Sequence, residues 1–198
     1  LSLMVLLGLT AWSDQVLNQA QSERYSSYRL AMLLRQTSAD LTQLVRAYVV
    51  TADPEFEKQY FHVDDVRSGK APWPDGRTIS IRQMLEQAGL TPEEIGKLNQ
   101  SDSNSKELVK KETVAFYAVK GKFEDAAGRF SRTGPPDLEL ARKLVHDAGY
   151  EADRERIMAP IREFEQMLDR RTAERVESAM FRSRLCIGLT GFLVIVTA

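Results

Sequence analysis

Cysteine and histidine are almost missing from this chain. Cys186 is the only cysteine, and His62 and His146 are the only histidines. No disulfide framework and no thiolate-based metal site can be built from that stock. His62-Val-Asp-Asp65 is the nearest approach to a metal-binding cluster. With no second histidine at i+4, it reads as a polar helix face, and no metal or cofactor is expected. Also missing are a glycine-rich phosphate loop, a nucleophile elbow and any convergent pair of carboxylates, so the region is not expected to be an enzyme. An excess of one charge is absent too. The net charge is −1 and the pI about 6.2, which gives no basic face for nucleic acid.

Charge is absent altogether from both ends. The 27 basic and 28 acidic residues all lie between Asp14 and Arg184, leaving 1–12 (LSLMVLLGLTAW) and 185–198 (LCIGLTGFLVIVTA) wholly uncharged. Each run is shorter than the ~20 residues that cross a bilayer. Each stands at an open end of the chain, and the first residue is leucine. The expectation is a piece of a longer protein cut inside two membrane helices. Residues 1–12 would end the first, 13–184 would be the folded domain, and 185–198 would begin the second. The remainder of a signal peptide and a buried core helix are the competing readings. A chain of 198 residues otherwise makes one ordinary domain or two small ones.

The best-written stretch is Leu30–Asp53, LAMLLRQTSADLTQLVRAYVVTAD. Leu30, Leu34, Leu41, Leu44 and Tyr48 recur at helical spacing, with Thr37 as the polar member of the face. Pro54 ends the pattern, because it has no N–H and pushes Asp53 out of the α region. Backwards, nothing stops this helix before Trp12. From Ser13 to Ala52 it would measure about 60 Å, a rod leaving a membrane.

The remaining chain reads as further helices. Asp53-Pro54-Glu55 restarts one, with Phe56, Tyr60 and Val63 buried, which ends near Ser68-Gly69. Residues 69–77 (GKAPWPDGR) form a loop around Trp73. A short helix over Thr78–Ala88 turns Ile81, Met84, Leu85 and Ala88 inward, with Gly89 as its left-handed end. Thr91-Pro92 with Glu94 is a capping box, opening a helix to about Lys120 that Gly121 closes. Ser101–Lys106 (SDSNSK) has little apolar support, so a local weakness or break is expected there. Residues 122–134 are poorly patterned, and no convincing strand is seen. Asp137–Ala148 is a short helix and Gly149 an interruption. A last long helix then runs through Ile157, Ile161, Phe164, Leu168, Thr172, Val176 and Ala179, with a kink or fresh start at Pro160. The fold expected is all-α: an elongated antiparallel, four-helix-bundle-like array with a short-helix distal cap, flanked by two truncated transmembrane helices.

Binding chemistry is sparse but present. Asp40 and Arg46 sit among Leu41, Leu44, Val45 and Tyr48 on the first helix. An arginine there is either half of a buried ion pair, for which Glu112 is the candidate partner, or a fork for a ligand carboxylate. The helix from Asp53 turns back and brings Tyr60 and Arg67 alongside. Asp40, Arg46, Tyr48, Tyr60 and Arg67, with Trp73 from the loop, are therefore the candidate ligand-binding residues. They suit a small anionic or zwitterionic molecule: arginine for the carboxylate, aspartate for an amine, tyrosine for walls.

The runs LRQTSADLTQLVRAYVVTADPEFEKQY, VRSGKAPWP, QMLEQAGLTPEE and HDAGYEADRERIMAPIREFEQMLDRRT resemble the helical extracytoplasmic sensor regions of bacterial receptors. Such regions occur in chemoreceptors, sensor histidine kinases and diguanylate cyclases. The likeness covers roughly residues 30–175, in matching order, and departs from the pattern by a short connection after Arg67. It implies an inner-membrane protein whose residues 13–184 form a periplasmic input domain ahead of a cytoplasmic output module. A periplasmic interaction module that senses through a partner protein is the alternative, and a structural spacer a third. The amphipathic but polar stretch 13–29 further implies a homodimer along the first helix.

Overall fold

Local caps decide where the helices begin. Asp53 Oδ1 accepts from the Glu55 amide at 2.9 Å, and Pro54 takes the first helical position. Thr91 and Glu94 exchange backbone and side-chain bonds in a capping box, at 3.2 and 2.8 Å. Ser80 and Gln83 make a second box, which moves the start of the short helix beyond the expected Thr78. The computed structural model describes residues 2–197, which form α1 (Ser2–Thr51), α2 (Pro54–Ser68), α3 (Ile81–Gln87), α4 (Pro92–Val119), α5 (Leu138–His146) and α6 (Ala148–Thr197). A two-stranded antiparallel pair, β1 (Lys122–Phe123) and β2 (Arg132–Thr133), sits between α4 and α5. The class is all-α. The strand pair corrects the reading of 122–134 as unpatterned, and at two residues per strand it is too short to leave a period.

The chain divides into two compact units. One comprises 1–30 with 165–198, and the other is Ala31–Phe164. In the first, Asp14 accepts from the Ser183 hydroxyl at 3.0 Å, while Glu23 pairs with Arg175 and Arg24 with Asp169. Sequence numbers fall along one stretch as they rise along the other, so the two run antiparallel. Their seam is small and partly polar: Ser13, Ser27, Thr172, Ala179 and Ser183 are buried, with Leu168 and Val176. Toward the chain ends the surface turns apolar, with Met4, Trp12, Ile187, Phe192 and Ile195 more than half exposed. By length and composition one helix, within Ala148–Val196, is apolar enough to cross a membrane among the described residues. The run 1–12 does not meet that test.

In the 31–164 unit, α1 buries Ala31, Leu34, Thr37, Thr42, Val45, Tyr48 and Val49. Leu30, Leu41 and Leu44 are only half-buried, so the packed face is turned from the expected stripe toward Val45 and Val49. Thr37 is satisfied inside its own helix, its hydroxyl donating to the Leu33 carbonyl at 2.9 Å. On α2 the buried positions are Tyr60 and Val66, with Phe56 and Val63 at the margin. Of the residues expected inward on the short helix, Ile81, Met84 and Leu85 are buried, and Ala88, its C-cap, is half-buried. Every member of the α6 stripe from Ile157 to Ala179 is buried as read.

No helix ends at either of the two places where a weakness, kink or break is expected, and the two places meet. Helix α4 runs unbroken through Ser101–Lys106, and α6 runs unbroken through Pro160. A proline at 160 cannot donate to the Arg156 carbonyl four residues back. Asn104 Nδ2 donates to that carbonyl at 2.8 Å, and the buried Ser101 hydroxyl donates to the Ile157 carbonyl at 3.2 Å. The polar tract thus supplies donors where the proline withholds one. Asn104→Leu is expected to cost about 1 kcal/mol, the net worth of its hydrogen bond. In a Pro160→Ala background, where a backbone amide returns, the cost should largely vanish. A double-mutant cycle by urea unfolding measures this, and additive losses would refute the pairing.

The break between α5 and α6 falls at Asp147 rather than at Gly149. Asp147 is extended, and its carboxylate accepts from the Tyr150 amide at 2.6 Å, capping α6. Gly149 lies inside the first turn of α6.

Candidate functional site

Glu112 is a buried carboxylate of the 31–164 unit, 3% exposed. Leu108, Glu112, Ala115, Phe116 and Val119 form the buried face of α4 at helical spacing, and a carboxylate in that row has to find donors. Tyr60 of α2 donates to one oxygen at 2.5 Å, and Tyr150 of α6 donates to the other at 2.6 Å. Burial pushes the Glu112 carboxyl above its ordinary range. The bonds from Tyr150 and Tyr60 pull the other way, and Asp64 adds to the rise. Both phenols are held well above the usual tyrosine value, by burial first and then by Glu112.

The expected Arg46–Glu112 pair is not formed. Arg46 Nε donates to the Val145 carbonyl at 3.0 Å, its guanidinium pairs with Glu151, and it lies 5.2 Å from the centre of the Tyr150 ring. Arg46 therefore braces the end of α5 and the start of α6, one ring away from the buried carboxylate. Glu151 is held below the ordinary carboxyl range by its hydrogen bond to Arg46. His146, beside this cluster, is lowered chiefly by burial and then by the Arg46 charge.

The other candidate residues separate. Asp40 accepts from Gln36 at 2.7 Å, one turn back on the same helix. Tyr48 packs its ring 5.1 Å from Phe116, and burial, then Glu57, pushes its phenol up to about 12. Trp73 is buried at 8% exposure, its indole N–H donating to the Ile79 carbonyl at 2.7 Å and its amide to Arg77 at 2.9 Å. It plugs the 69–77 loop and lines neither the cleft beside Arg67 nor the groove along Val16.

Arg67 is different. It sits in the last turn of α2, half-buried, with one side-chain bond, from Nη1 to the Ser38 hydroxyl at 3.1 Å. A guanidinium has five N–H donors, so most of this fork is unspent on protein acceptors. It borders a cleft of about 260 Å³ whose apolar floor is Leu34, Ile81, Leu85 and Leu98. Asp64, Asp102 and Arg82 also line it. Arg82 uses all three of its nitrogens, bonding Glu86 at 2.9 Å, Asp102 at 2.7 Å and Asn99. Burial lowers the pKa of Arg67, while Asp102 and Asp64 partly restore it.

Comparison with protein-family models, curated proteins and solved structures finds no match to this chain. Function therefore has to be argued from the cleft. Among the six candidates from sequence, only Arg67 borders it. Asp64, Asp102 and Arg82 were missed, because each lies in an ordinary solvated-looking pattern and only the return of α3 and α4 onto α2 gathers them. Tyr150 was missed as well. Its one signal was an isolated tyrosine just after the Asp-Ala-Gly that opens the last helix.

A second concavity belongs to the unit of 1–30 with 165–198. It is a shallow groove of about 540 Å³ along Val16, Ala20 and Ala179, edged by Glu23, Arg171 and Arg175.

Proposed function

We propose that the chain is the signal-input domain of a membrane-bound bacterial receptor and senses a small zwitterion in the Arg67 cleft. The observation that carries this reading is the largely unspent guanidinium of Arg67 over an apolar floor, with Asp64 and Asp102 beside it. A carboxylate takes the Arg67 fork, an ammonium takes the aspartates, and an apolar side chain rests on Leu34, Ile81, Leu85 and Leu98. An α-amino acid with a small apolar side chain has that pattern of groups and fits the volume. Asp102 is already paired with Arg82, so an anion without an amine would meet Asp64 unmatched, which narrows the expected ligand to the zwitterionic class.

The apolar ends of α1 and α6 are the membrane-facing parts, in a bacterial inner membrane with 13–184 in the periplasm. The long helices form a four-helix-bundle-like array that relays the signal to a cytoplasmic output module through α6. A ligand acts there by favouring one of two packings of the bundle. The uncharged, mostly exposed surface at Ile187, Phe192 and Ile195 supports the membrane assignment.

Addition of apolar amino acids to the detergent-solubilised chain should raise its melting temperature, since ligand binding stabilises the native state. Arg67→Ala should keep the fold and abolish the shift. Arg67→Lys, which retains charge without the fork, should weaken binding by roughly tenfold. A shift that survives Arg67→Ala removes the site from this cleft.

The receptor acts as a homodimer whose second copy occupies the groove along Val16 and Ala20. Its small apolar floor and mixed-charge edges suit a helix of the same kind. Val16→Cys in a Cys186→Ser background should crosslink between protomers in membranes, while Asn18→Cys, exposed and off the groove, should crosslink far less. Equal yields at both positions would count against this face.

A further inference from the structure

We infer that a second cleft, between α2 and α4, binds an amine that carries an aryl or alkyl body. Glu57, Tyr60, Phe61 and Asp64 fall at i, i+3, i+4 and i+7, one face of α2. Val109 and Phe116 of α4, with Lys120 at its C-cap, answer them across a cavity of about 410 Å³. The wall is aromatic. Phe116 lies 4.8 Å from Tyr60 and 5.5 Å from Phe61, centre to centre, with the rings inclined to one another by 63° and 34°. Phe61 and Val109 are each 48% exposed, so the cleft opens to solvent along an apolar lip.

One end of the cleft shows the chemistry it accepts. The Lys120 ammonium pairs with Glu57 and stands 6.0 Å from the centre of the Tyr117 ring, a cation held by a carboxylate and an aromatic face. The other end repeats the acid and the rings, with Asp64 beside Tyr60 and Phe61. Among the described residues no hydrogen bond or ion pair fills Asp64, so an ammonium from outside can take the place that Lys120 takes at Glu57. With Glu57 matched by Lys120, Asp64 is the negative charge of the lining that no cation of the same lining pairs. An amine gains from it and a carboxylate is repelled. The apolar length between the two ends, past Phe61, Val109 and Phe116, sets the class of ligand: a hydrophobic monoamine rather than a small hydrated cation.

The proposal does not depend on a zwitterion at Arg67, although Asp64 borders both clefts. Calorimetric titration of the full chain in phosphatidylcholine nanodiscs with phenethylamine tests it, with phenylacetate as the charge-reversed probe and empty nanodiscs as the blank. Saturable binding is expected for phenethylamine and none for phenylacetate. Phe61→Ala and Asp64→Asn should each weaken binding by roughly tenfold, the size of one lost cation–π or ionic contact. Val109→Trp, which fills the cleft from its exposed lip without opening the core, should abolish binding at an unchanged melting temperature. Arg67→Ala removes a cation that interacts with Asp64 from the neighbouring cleft, so it should not weaken phenethylamine binding, and that keeps this site distinct from the zwitterion cleft. Absence of saturable binding, indifference to Phe61→Ala together with Val109→Trp, or loss of binding in Arg67→Ala would each overturn the assignment.

Discussion

Replacing Glu112 by alanine is expected to destabilise the protein by about 3–5 kcal/mol, a large part of the roughly 5–15 kcal/mol typical of a domain. The loss has two sources. The Tyr60 and Tyr150 hydroxyls would be left buried without an acceptor, at about 1–3 kcal/mol each, and the missing side chain would leave a void against Phe116 and Leu108. Glu112→Gln keeps the volume and one carbonyl acceptor, so it should cost much less. It should also change the response to pH. The Glu112 carboxyl is raised in the folded state, so the native protein holds this proton more tightly than the unfolded chain. Its contribution is therefore full below the ordinary value of 4.5 and is lost as pH rises through the raised folded value. The phenols of Tyr60 and Tyr150, raised above 10.0, contribute fully below that value and lose their contribution at more alkaline pH. Urea midpoints measured on both chains from about pH 4.5 upward decide the matter. Wild type should lose stability relative to Glu112→Gln over that rise, and a pH-independent difference would mean that Glu112 is not the titrating group.

What could be read in the sequence was whatever is settled within a few residues. Asp53-Pro54, Thr91-Pro92 with Glu94, and Gly89 each announce a helix end because cap and capped amide are neighbours. The α6 stripe was legible for a similar reason, since apolar or small positions at regular spacing leave one face to bury. The readings that failed depend on distant partners. Ser101–Lys106 looked like a weakness because the carbonyls it serves lie 52 and 56 residues away, beside a proline that looked like a separate break. Arg46 and Glu112 looked like partners because both are charged residues in apolar rows. The acceptor of Arg46 is a backbone carbonyl 99 residues on, and the donors to Glu112 are phenols, which carry no charge to advertise the match. Trp73 suggested a ligand contact because a Pro/Gly loop is normally exposed, and a carbonyl six residues later buries it instead. The Arg67 cleft was half legible. The arginine and its helix were found, and its aspartates were not, because their approach depends on how α3 and α4 return.

Gly69→Ala is expected to cost about 3 kcal/mol or more and to spoil the Arg67 cleft at the same time. Gly69 ends α2 two residues after Arg67, at a φ of +78°, where a Cβ is strained by about 1–2 kcal/mol. Strain is the smaller part. A Cβ there would stand 2.5 Å from the Ser80 amide nitrogen and 2.9 Å from the Ile79 carbonyl carbon, both backbone atoms that no rotamer change can move. Ser80 is the N-cap of α3, and the Ile79 carbonyl is the acceptor for the Trp73 indole. Relief of the clash must therefore push the start of α3 off α2, and Ile81 and Leu85 leave the floor beneath Arg67 with it. Gly76→Ala is the control. Its φ of +84° is equally left-handed, but a Cβ at that position meets nothing within 4 Å, so only the backbone strain should appear, about 1–2 kcal/mol. Urea unfolding of the two variants separates strain from collision, and amino-acid titration reports the cleft. Equal losses at the two glycines would show that the close approach to Ser80 does not hold the loop. Full ligand affinity in Gly69→Ala would show that the position of α3 does not shape the site.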